Sequence, residues 1–109
     1  MPNKTVDSII VVGDGLNAIN FCLSNMMPGT EDFKKLKEER NRVRERFDIM
    51  VEFFIITSTK RFIAADSELA QVNTDMKAVL EDLADMQKTF DNVSRFITAI
   101  DTFITSVFA

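Results

Sequence analysis

Histidine, tryptophan and tyrosine are missing from these 109 residues, and cysteine occurs once. Without histidine the chain has no side chain that titrates near neutrality to serve as general base, proton shuttle or imidazole metal ligand. A lone Cys22 forms no internal disulfide, so the pattern is not that of a small secreted, stapled fold, and an intracellular, cytoplasmic setting is expected. Ten Phe without Tyr or Trp make the aromatic content packing volume with no polar handle. Proline is confined to Pro2 and Pro28, and there are three glycines. So few chain breakers favour long helices over a many-stranded sheet.

What is present is an apolar seam. Stepping alternately by four and three from Val51 gives Ile55, Ser58, Phe62, Ala65, Leu69, Val72, Met76, Val79, Leu83, Met86, Phe90, Val93, Ile97, Ile100, Ile104 and Val107, all apolar except Ser58. That spacing is the signature of a packed α-helix. A shorter seam (Ile9, Val12, Leu16, Ile19, Leu23, Met26) precedes it, with Asp14, Asn17, Asn20 and Asn25 off the stripe. Pro28-Gly29 stops this first segment, and Thr30 followed by Glu31 and Asp32 is an N-cap with an acidic first turn.

The expected fold is all-α: a single domain of three helices over about 5–27, 31–60 and 66–108, packed as an antiparallel bundle or extended helical hairpin with coiled-coil-like heptads. The frame changes between residues 51 and 58, and the small polar stretches around Thr57-Ser58-Thr59 and Ala65-Asp66-Ser67 place a bend between 57 and 67. Residues 31–46 carry seven basic and five acidic side chains, whereas 66–109 carry eight acidic and three basic. A hairpin about residue 62 would set Lys37, Arg40 and Arg44 against Glu81, Asp82 and Asp85. The seam still runs at Val107-Phe108, which predicts that the chain is the N-terminal part of a longer protein.

Catalytic chemistry finds little purchase. Ile9 to Ala18 matches a strand followed by GxGxxA, but a dinucleotide site needs a βαβ unit, and Thr30 to Arg46 is charged and helical in pattern. Two glycines allowing close helix approach are the better explanation. Glu38, Glu39 and Glu45 interleave the basic stretch 34–46, which gives a solvated helix face rather than a nucleic-acid site. No enzyme activity, cofactor or metal site is expected.

The expected function is a non-enzymatic helical oligomerisation or protein-interaction module, binding a copy of itself or the rest of a longer parent chain. Its candidate surface is the Phe-rich end of the last helix: Phe96, Ile100, Phe103, Ile104, Val107 and Phe108. The alternative is a membrane-active domain of the cell-death or pore-forming type, peripherally attached, whose first helix is released to place Ile9, Val12, Leu16, Ile19 and Leu23 in lipid.

Overall fold

The computed structural model describes residues 4–56, 66–82 and 84–108, with side chains placed for 8–52, 68–82 and 84–105. The described residues form four helices and no strand: α1 (Lys4–Ser24), α2 (Glu31–Ile56), α3 (Asp66–Leu80) and α4 (Met86–Phe108). The expected long helix over 66–108 is therefore two helices, which is a correction to the three-helix reading. Its cause is two aspartates. Asp82 Oδ1 accepts the Ala84 amide at 3.0 Å, closing a turn. Asp85 then caps α4, accepting the Lys88 amide at 3.1 Å. Side chains that bond nearby backbone offer an alternative to continuing the helix, so the break needs neither Gly nor Pro.

The first turn follows the same logic. Asn25 and Met26 amides bond back to the Cys22 and Leu23 carbonyls, tightening the end of α1. Gly29 has φ 89°, a left-handed conformation open to glycine and strained for residues with a Cβ. Thr30 Oγ1 accepts the Phe33 amide at 3.2 Å as N-cap of α2.

α1 packs on α2 and α3, and α4 packs on the same two helices, so α2 and α3 are not side by side. Gly13 beside Phe47 and Asn20 bonded to Arg40 make α1 and α2 antiparallel. Lys35 over the Phe90 ring and Arg46 paired with Asp101 make α2 and α4 parallel. The result is two antiparallel hairpins laid together with both turns at one end, 42 × 22 × 22 Å overall.

This arrangement overturns the expected hairpin about residue 62 and its charge pairing. Arg40 Nη1 donates to Asn20 Oδ1 at 2.8 Å instead. Among the described residues an ion pair does join the basic stretch to the acidic half: Arg46 donates to both Asp101 carboxylate oxygens, at 2.6 and 3.2 Å. The expected bend at 57–67 falls mostly on residues 57–65, outside the described residues, as does Leu83 of the seam.

The core lies where the four stripes meet. Val12, Ile19, Leu36, Val43, Met76, Val93, Phe96, Ile100 and Phe103 are wholly buried there. The seam crosses the 81–85 break because both helices of the second hairpin turn the same stripe toward one interior.

Candidate docking surface on the first helix

Of the residues proposed from sequence as a surface, those whose side chains are described lie in or against the core. Phe96, Ile100 and Phe103 are 0% exposed, and Ile104 is half-buried against them. The side chains of Val107 and Phe108 lie outside the described residues. α2 and α3 pack along α4, a helix of 23 residues, and Phe96 reaches α1 at Gly15. The residues considered for lipid are likewise interior. Val12, Ile19 and Leu23 are buried, and Ile9 and Leu16 are half-buried on the core.

What the bundle leaves open is the opposite face of α1. Ile10, Asp14, Asn17 and Phe21 recur at spacings of four, three and four, which aligns them on one helical face, and all four are exposed. Ile10 is 60% and Phe21 72% exposed, large values for apolar side chains this size. Met27, in the turn that follows, is 75% exposed. Neither Ile10 nor Phe21 belongs to the sequence seam. The signal that would have found them is an apolar residue on the polar side of an amphipathic helix.

A cleft of about 400 Å³ opens beside Phe21 between the C-terminal ends of α1 and α3. Ala18, Cys22 and Leu80 give it apolar walls, and Lys77 and Glu81 supply charge. Burial pushes the Cys22 thiol up, away from the thiolate, so it behaves here as a small apolar group. A smaller hollow of about 240 Å³ between α3 and α4 is lined mainly by polar side chains, among them Glu68, Ser94 and Arg95.

A polar cluster holds α1 on α3 beneath this face. Asp14 Oδ2 accepts from Lys77 Nζ at 2.7 Å and from Asn73 Nδ2 at 3.1 Å. Asn73 is 5% exposed, and its Oδ1 is buried without a hydrogen-bond partner. Leaving that acceptor unmade costs about 1–3 kcal/mol. The bonds from Asn73 and Lys77 to Asp14 tie α3 to the middle of α1.

The hydrogen bond from Lys77, then that from Asn73, holds the Asp14 carboxyl below its ordinary range. The native state therefore binds this proton less readily than the unfolded chain does. The contribution to stability is complete above the ordinary aspartate value of about 3.9 and is lost as pH falls through the lower native value. Between pH 5 and pH 2 the urea midpoint of the wild type should fall more steeply than that of Asp14→Asn. Parallel curves would show that the cluster has no linkage to folding. Because Asp14 is half exposed, solvent screening keeps the effect small.

Among the described residues no group of His, Cys, Asp or Glu is placed to hold a metal ion. Nor is any helix among them long and apolar enough to cross a membrane. Residues 9–12, where a nucleotide-binding strand would lie, are part of α1. Compared with family models, curated proteins and solved structures, the chain matches none. Its function must be argued from this geometry.

Proposed function

We propose that the chain is a non-enzymatic helical oligomerisation and protein-interaction module. Its heptad-spaced seams build the scaffold, and the outer face of α1, with the cleft beside Phe21, does the binding. The observation that carries this reading is the exposure of Ile10 and Phe21 on one helical face, with an apolar cleft beside Phe21. Single exposed apolar residues are ordinary on a monomer; this reading rests on Phe21 standing beside the cleft, with Ile10 on the same helical face.

The face suits protein better than lipid. Asp14 and Asn17 sit between the two apolar groups, and entering a bilayer would strand the Asp14–Lys77 pair in hydrocarbon. Placing the first seam in lipid would further require Val12 and Ile19 to leave the core.

Sedimentation equilibrium of the whole chain tests the reading. The mass should rise above 12.4 kDa as concentration increases, with no co-sedimentation with anionic or neutral phospholipid vesicles. A mass fixed at 12.4 kDa up to about 1 mM would remove the oligomerisation role. Vesicle binding accompanied by leakage would transfer the function to membranes.

A further inference from the structure

We infer that the partner of the α1 face is the same face of a second copy, with the two helices antiparallel about a two-fold axis. This deepens the interaction-module reading and rests on it. The evidence is the order of residues along the face. Ile10 and Phe21 lie eleven residues apart, Asp14 and Asn17 lie between them, and both pairs share one midpoint, between Gly15 and Leu16. A two-fold axis through that midpoint sets each Ile10 against Phe21 of the second copy and each Asp14 against Asn17 of the second copy. Apolar then meets apolar, and a carboxylate acceptor meets an amide donor.

The alternative register lacks this match. Running the two helices parallel would oppose Asp14 to Asp14, a like-charge contact, at the centre of the interface. In the antiparallel form each residue contact recurs with the copies exchanged, as a closed two-fold interface requires. Asp14 can take the extra bond because Lys77 and Asn73 both bond its Oδ2, which leaves acceptor capacity on Oδ1. The central charges balance as well, two Lys77 ammonium groups accompanying two Asp14 carboxylates.

Ile10 to Phe21 spans about 16 Å of helix. A contact of that length between two single helices buries less than the roughly 1,200–2,000 Å² of a standard interface. The dimer is accordingly weak and shows itself through concentration dependence.

Two experiments test the arrangement. In sedimentation, wild type should approach twice 12.4 kDa at high concentration while Phe21→Glu stays at 12.4 kDa with an unchanged circular dichroism spectrum. Phe21 is exposed, so the substitution leaves the core intact. Self-association of Phe21→Glu equal to wild type would overturn the inference but leave the interaction-module reading in place. A wild type that never exceeds 12.4 kDa would overturn both.

For orientation, Ile10→Cys and Phe21→Cys chains, each also carrying Cys22→Ala, are mixed and oxidised. The antiparallel pairing yields mainly the mixed disulfide between positions 10 and 21. A majority of 10–10 and 21–21 products would overturn the antiparallel arrangement.

Discussion

Phe96→Ala should remove about 3–5 kcal/mol of stability, a large share of the roughly 5–15 kcal/mol that holds a domain folded. Phe96 is 0% exposed and reaches across from α4 to Gly15 of α1, so its ring fills the centre of the bundle. Truncation forfeits its transfer free energy and leaves a cavity that four helices cannot readily close. The urea midpoint should fall accordingly, and thermal unfolding should come more than about 10 °C earlier. Phe21→Ala is the control, removing the same ring from a 72% exposed site. It should stay within about 0.5 kcal/mol of wild type. Equal effects at the two positions would mean that Phe96 does not lie inside this bundle.

Gly15→Ala should destabilise and Gly13→Ala should not, although both add a methyl group to the same helix. In an open helix the change favours Ala by about 1 kcal/mol. At Gly15 the new Cβ would fall 2.4 Å from Phe96 Cζ and 2.5 Å from Asn73 Oδ1. Both neighbours are buried, so neither can swing aside, and the helices must separate. Overpacking of this kind costs about 1–3 kcal/mol, which outweighs the propensity gain. At Gly13 the nearest atom is Phe47 Cε2 at 3.3 Å, on a half-buried ring with room to yield by a few tenths of an ångström. There the propensity gain should survive in part, leaving the variant neutral or slightly more stable. The decisive measurement is the difference in chemical-denaturation free energy between the two variants. A Gly15→Ala protein as stable as Gly13→Ala would show that α1 does not approach α4 this closely.

Some of this was open to reading along the chain. Period and breaker content indicate an all-helical protein, because an apolar residue every three or four positions can be buried on one side only by a helix. The turn at 25–30 announces itself through Pro28, Gly29 and Thr30, whose backbone preferences act locally. The close approach at Gly15 was also suggested by two glycines within an amphipathic segment. The break at 81–85 was harder to see. Asp82 and Asp85 look like residues of a solvated helix face until their carboxylates are seen to accept backbone amides. A side chain that can serve either role carries no mark of which it will take.

What the residues determine unaided is therefore local: helix, turn, cap, and which side of each helix is apolar. Which helices become neighbours depends on how four apolar stripes share one interior, and no single segment encodes that. Tertiary packing set α2 beside α4 and in parallel with it, which sends Arg46 to Asp101 and Arg40 to Asn20 rather than to the acidic residues of the expected hairpin. The same packing consumed Phe96, Ile100 and Phe103, the residues that looked most available for a partner, and left Ile10 and Phe21 outside. Burial is a property of the assembled bundle, since a stripe is covered or open only according to what lies against it.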